Sequence, residues 1–173
     1  MGILKHALAA ASLAAAWPAT AAVTQSGPAG FTVVESAHIA ASPDRVYAML
    51  TTPARWWSSD HSFSHDAANL SLEPRAGGCW CERLPGGGSV EHMRVIYVIP
   101  GQMLRLQGAL GPLQEMPVQG VMTITLAGAS GGTDVTLTYA VGGSGLEPIS
   151  GAVDRVMGEQ VDRLKAAVET GRP

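Results

Sequence analysis

Charge is scarce in this chain. Asp, Glu, Lys and Arg make up 14% of its 173 residues, the net charge is −3 at pH 7, and no cluster of Lys or Arg is present to neutralise phosphates. Nucleic acid is therefore not an expected partner. Nucleophile-elbow, Gly-rich phosphate-loop and Ser-His-Asp spacings are also missing, which removes the commonest hydrolase and nucleotide-binding readings. Cysteine is limited to Cys79 and Cys81. No apolar run is long enough to span a bilayer comfortably, given the ~20 residues a spanning helix needs.

What is present begins with a leader-like segment. Lys5 is the only fixed basic side chain before an Ala- and Leu-rich run from Ala7 to Trp17, and Pro18-Ala19-Thr20-Ala21 follows with A-x-A spacing. This is the layout of a secretory signal peptide over residues 1–21, so the mature chain is expected to be periplasmic or secreted, with no integral membrane segment after cleavage. Roughly 150 residues then remain, enough for one domain with one core. A linker is expected over 22–30 and the domain over 31–170.

Periodicity organises the rest. Phe31, Val33, Ala37 and Ile39 alternate with more polar neighbours as in a half-buried strand. Ser42-Pro43-Asp44 supplies an N-cap, a proline at the first helical position and an acid at the positive helix end, so a helix is expected over Pro43–Thr51. Thr52-Pro53 repeats the device ahead of a second short helix carrying Trp56 and Trp57, of which at most one is expected to point fully inward.

Period two then holds over Asn69–Glu73, Cys79–Leu84, Val90–Ile99, Met103–Ala109, Gln119–Leu126 and Asp134–Val141. The turns between them are short and rich in Gly and Pro, so neighbours should be antiparallel. From Glu147 to Glu169 apolar residues recur at three- and four-residue steps, as in one long amphipathic helix. Gly151, Gly158, Asp154 and Asp162 fall on its polar side, and Gln160 falls within the apolar arc, where it needs a hydrogen-bond partner or a ligand.

This order resembles the START-like superfamily, also called SRPBCC. Local likenesses are Ser42-Pro43-Asp44-Arg45-Val46-Tyr47, Trp56-Trp57 and Leu72-Glu73-Pro74-Arg75-Ala76-Gly77-Gly78-Cys79-Trp80. They look like the polyketide cyclase/dehydrase and heat-shock-protein ATPase-activator-like branches. The resemblance implies an α+β helix-grip fold, a curved antiparallel sheet wrapped around the long C-terminal helix with two short helices after the first strand. It also implies a cavity for a small apolar or aromatic molecule, without fixing a reaction.

Three functions compete for the segment from Asp60 to His92. As a binder, the protein would hold its ligand between sheet and last helix, with Trp56, Trp57, Cys79, Cys81, Met93, Tyr97, Leu110, Met122, Tyr139, Met157 and Gln160 as lining candidates, and no cofactor. As a cyclase-, dehydratase- or hydrolase-like cavity enzyme it would use Glu35, Glu91, His61 or His92 as acid or base. As a metal or redox module it would draw on His61, His65, Cys79, Cys81 and His92.

Strand parity bears on all three. It groups Glu91, Met93, Val95, Tyr97 and Ile99 on one face, which looks more like core, and turns His92 and Arg94 toward solvent. Cys79 and Cys81 share a face, but with Cβ atoms roughly 6–7 Å apart in an extended strand, so a direct bond requires a bulge or kink. Burial, a distorted disulfide, an intermolecular bridge and a metal all remain open for this pair.

Overall fold

In the computed structural model, which describes residues 22–173, strand β1 (Ala22–Gly27) turns directly into β2 (Gly30–Ile39) and pairs with it antiparallel. Residues 22–29 are thus an edge strand and its turn, and Gly30 opens β2, in place of the linker expected over 22–30. Their polar sequence carries no alternation from which a strand could be read. The expected leader lies outside the described residues.

Along β2, Phe31, Val33, Glu35, Ala37 and Ile39 all face inward. Helix α1 (Pro43–Leu50) comes next, starting at Pro43 as expected, although the Ser42 hydroxyl makes no capping bond. The second short helix is a single 3₁₀ turn, Pro53–Arg55. Trp56 and Trp57 come after it, and both are buried because α2 (Glu147–Thr170) grips this turn. Arg163 Nε donates to the Trp56 carbonyl (3.0 Å), and the Ser58 N–H donates to Gln160 Oε1 (2.9 Å).

The remaining strands are β3 (Leu70–Leu72), β4 (Cys79–Arg83), β5 (Ser89–Ile99), β6 (Met103–Gly108), β7 (Gln119–Ala129) and β8 (Gly132–Gly142). They complete one eight-stranded sheet of order β1-β2-β8-β7-β6-β5-β4-β3, with antiparallel pairs throughout. Together with α2 this is the expected helix-grip arrangement. The core is built from alternate residues of the central strands, Leu104, Leu106, Met122, Ile124, Val135 and Leu137 among them.

Helix α2 packs against β2 and β1 at one side of the sheet. Gly158, expected on the polar side, instead meets β2: a Cβ there would stand 3.5 Å from the Glu35 carboxylate. The missing side chain lets the helix approach over a buried acid.

Strand β5 departs from period two twice, and both departures have the same cause. Trp80 pairs with Met93 and Cys81 with Glu91, so His92 is an extra residue without a partner. Likewise Val95 pairs with Leu106 and Tyr97 with Arg105, which leaves Ile96 as a second extra residue. Each bulge reverses the parity of the strand residues beyond it. The first brings His92 in beside Met93 and leaves Glu91 outside; the second turns Tyr97 out, where it is 45% exposed. The expected inward set therefore loses Glu91 and Tyr97 and gains His92.

Gly108 makes the first bulge possible. Its φ is +156°, and a Cβ there would lie 2.4 Å from the His92 carbonyl oxygen. Gly108→Ala is expected to cost about 1–3 kcal/mol through this clash and the unfavourable backbone region. Denaturant unfolding beside a Gly131→Ala control, where φ is also positive but no atom lies within 4 Å, isolates the clash.

Candidate ligand-binding site

A cavity of about 840 Å³ lies between the first half of α2, the inner sheet face and two loops. Ile149, Val153, Val156 and Met157 form the helix wall. Trp80, His92 and Tyr139 form the sheet wall, Trp57 to His65 one loop and Leu110 to Glu115 the other. Most of this lining is apolar. Trp80 stands edge-on to Trp57 with ring centroids 4.9 Å apart, and Trp57 donates its indole N–H to the His61 carbonyl (2.9 Å). Trp80 is buried, and its indole N–H finds no acceptor among the described residues.

The polar part of the wall centres on a pair not foreseen from the sequence. Glu82 is 1% exposed and His92 6%. His92 Nε2 lies 2.8 Å from Glu82 Oε2, and the backbone N–H groups of Phe63 and Ser64 also donate to the Glu82 carboxylate. Burial alone would raise the Glu82 carboxyl, but hydrogen bonds from Ser64, Phe63 and His92 outweigh it and hold the group below the usual carboxylate range. Burial pushes the His92 imidazolium the other way, lowering its pKa against the opposing pull of Glu82.

Neighbours also fix the tautomer of His92. Gln114 Nε2 approaches both the Glu91 carbonyl (3.5 Å) and His92 Nδ1 (3.2 Å), so the amide is the donor and Nδ1 the acceptor. Nε2 then carries the proton and donates it to Glu82. Gln114 belongs to the loop over the cavity, so this contact ties the loop to the sheet wall. The Glu82 carboxylate ties the other loop at Phe63 and Ser64.

Several residues singled out from the sequence line the cavity: Trp57, Leu110, Tyr139 and Met157, with the histidines His61, His65 and His92. His61 Nε2 pairs with Glu159 on α2 (3.1 Å), and His65 takes a positive φ of 56°, a region costly for a side chain with a Cβ. The others lie elsewhere. Trp56 is buried and donates to the Leu50 carbonyl (3.2 Å). Met93 and Met122 are core. Gln160 is wholly buried but serves Ser58 rather than the cavity.

Glu35 sits under α2 beside Asp154, outside the cavity lining; burial first, then Asp154 and Asp162, raises its pKa to about 7. Cys79, Cys81, Glu91 and Tyr97 belong to the outer face. The cysteines form a disulfide with Cα atoms 5.4 Å apart, so their thiolates are not available as metal ligands, and the histidines do not converge on them. The kink that the bond requires is the compressed stretch of β4 opposite His92.

Glu82 escapes a reading of the sequence because its strand runs Cys-Trp-Cys-Glu-Arg, and a lone Glu near a strand end is usually solvated. Parity with the inward Trp80 is the available signal.

Residues 30–169 match the family model described as polyketide cyclase/dehydrase and lipid transport. The chain belongs to that family. Membership in the polyketide cyclase/dehydrase and lipid transport family fits the cavity and extends over every strand from β2 onward. No curated protein matches the chain. Among solved structures, a Chromobacterium violaceum protein is similar at 22% identity and a TM-score of 0.58, covering 80% of this chain and 96% of that one. A Rhizobium leguminosarum protein shows 21% identity and a TM-score of 0.60 over 79% and 93% of the two chains. CalU16 from Micromonospora echinospora shows 18% identity and a TM-score of 0.57 over 83% and 77%. At such identities these likenesses establish the fold of this family member alone. No described helix is long and apolar enough to cross a membrane.

Proposed function

We propose that the protein is an exported binder of one small, mostly apolar molecule that carries an aromatic or similarly flat part and at least one hydrogen-bonding group. The observation that carries this reading is the cavity of about 840 Å³, walled mostly by apolar groups that include Trp57, Trp80, Tyr139 and the apolar side of α2, with polar side chains on the sheet wall (His92) and on the two loops (Asp60, His61, Ser62, His65 and Glu115). Ligand pockets of ≈ 300–1,000 Å³ with few, well-placed polar groups are the usual form of such sites. Trp80 offers a donor without an acceptor, which favours a carbonyl or hydroxyl oxygen on the ligand. His92, fixed by Glu82, offers Nδ1 once Gln114 is displaced. Export is supported by the leader-like first 21 residues and by a disulfide, which persists best in oxidising compartments.

One observation favours a second reading, a cavity enzyme. A buried carboxylate holding a neutral imidazole in one tautomer is the arrangement that lets Nδ1 accept a proton from a bound substrate. In that reading His92 is the base and Glu82 its orienting partner, and Glu35 and Glu91 take no part.

Titration with the neutral fluorophore N-phenylnaphthylamine tests the binding reading. Saturable quenching of indole emission at one probe per chain, with release by competing apolar molecules, is the expected result. Linear, non-saturating partitioning would contradict it.

A further inference from the structure

On the face of β4 opposite the cavity, Cys79 and Cys81 form a disulfide across a single intervening residue. Closing so short a loop constrains the unfolded chain very little, so the bond contributes little as a staple. Both cysteines are half-buried at the outer surface of the sheet. Their cross-strand partners complete a charged cluster. Cys79 pairs with Arg94 and Cys81 with Glu91, Arg94 and Glu91 are bonded to each other, and a Glu91 carboxylate oxygen lies within 4.8 Å of both sulfurs.

The bond also has a mechanical consequence. An extended strand places alternate Cα atoms roughly 6.6 Å apart, whereas Cys79 and Cys81 are 5.4 Å apart. This shortening of β4 falls opposite the point where β5 holds His92 as an extra residue. Trp80, the residue enclosed by the disulfide, and His92, the residue extruded across from it, both project into the cavity wall.

We propose that Cys79–Cys81 is a thiol–disulfide exchange site for a dithiol reagent or dithiol protein, and that its redox state sets the positions of His92 and Trp80 in the cavity. One thiolate of the dithiol attacks a cysteine sulfur, and the Cys79–Cys81 bond breaks as a mixed disulfide forms. The released thiolate lies near the Glu91 carboxylate, itself bonded to Arg94, and takes up from solvent the proton that the attacking thiol gave up. The second thiol of the reagent then attacks its own mixed-disulfide sulfur and frees the other cysteine. Two electrons and two protons pass to the protein, and the reagent leaves as its disulfide. With the bond open, β4 relaxes toward its full length, and the bulge that presents His92 loses its clamp.

This deepens the reading of the cavity as a functional site by adding its control; the exchange chemistry itself uses no ligand. The test therefore needs none. The full chain, without denaturant, is equilibrated across ratios of reduced to oxidised dithiothreitol; free thiols are counted by alkylation and mass, and the His92 imidazole resonances are followed by NMR. The expected result is reversible appearance of both thiols with the circular dichroism spectrum retained, and a shift of the His92 resonances that tracks thiol content. Cys79→Ser/Cys81→Ser should reproduce the reduced spectrum; the wild-type titration stands without it if that variant fails to fold. A bond that opens only after unfolding would overturn the exchange site. Opening that leaves the His92 resonances in place would overturn the coupling. Neither result bears on whether the fluorophore binds.

Discussion

Replacing Glu82 with Ala is expected to lower the stability of the domain by about 3–5 kcal/mol, because three hydrogen bonds to one charged acceptor are lost together, each worth roughly 1.5–3 kcal/mol and less where the donor is part-buried. Such a loss is a large part of the 5–15 kcal/mol by which domains are typically stable. The Glu82 carboxylate accepts from His92 Nε2 in a buried contact and from the Phe63 and Ser64 backbone N–H groups in part-buried ones. Truncation leaves these donors unsatisfied at about 1–3 kcal/mol each and unties the loop at the cavity mouth. Glu82→Gln should fall between, since it keeps one acceptor oxygen but presents an amide donor to the other contacts. Denaturant unfolding beside Glu73→Gln, an exposed carboxylate paired with Arg75, separates this from a general charge effect. A Glu82→Ala change below about 1 kcal/mol would contradict the network as described.

Glu35→Gln should do the opposite and stabilise the protein above neutrality. Glu35 is 3% exposed, and its Oε1 and the Asp154 Oδ1 find no donor among the described residues. A proton on Glu35 supplies one, and its pKa is raised from 4.5 to about 7. A group whose folded pKa exceeds its unfolded value contributes stability that is fully present below the unfolded value and lost as pH rises through the folded one. The loss thus falls between pH 4.5 and about 7. At 1.36 kcal/mol per unit it amounts to no more than ~3 kcal/mol. Glutamine cannot ionise, so at pH 8 the variant should melt above the wild type, by up to roughly 6–12 °C. At pH 4 the two should nearly coincide. An equal difference at both pH values would show that ionisation is not its cause.

The acid side of the profile has a different origin. Glu82 is held below its usual range and His92 is kept neutral by burial, so both contribute stability at higher pH that is lost as pH falls. The cavity wall that carries His92 should therefore loosen in acid. The Glu35 contribution runs the other way between about pH 7 and 4.5 but is common to both proteins, so the melting temperature of His92→Gln relative to wild type should rise as pH is lowered from 7 to 4.

Much of the fold could be read from periodicity, and the site only in outline. The alternation of β2 and the three-and-four spacing of α2 each survive because burial on one face is continuous along the element. The polar-side placement of Gly158 and Asp154 fails because β2 carries an acid beneath them, which a helical wheel does not contain. His92, Glu91 and Tyr97 fall on faces opposite to those expected for a sharper reason. Two single-residue bulges, at His92 and Ile96, reverse strand parity, and a bulge is a relation between two strands. The cysteine pair carries the hint, since its bond demands a local shortening. Glu82 is hidden by its dependence on donors nearly twenty residues earlier and ten later.

The most direct test of the central claim fills the cavity from its wall. Val153 lines it from α2, whereas Val121 lies exposed on β7 and outside it. Titration of Val153→Trp, Val121→Trp and the wild type with N-phenylnaphthylamine should show affinity reduced about tenfold or more for Val153→Trp, a loss of ~1.4 kcal/mol. Val121→Trp should match the wild type, with all three equally folded by circular dichroism. Undiminished binding by a folded Val153→Trp would contradict the account, because the ligand would then be held somewhere other than this cavity.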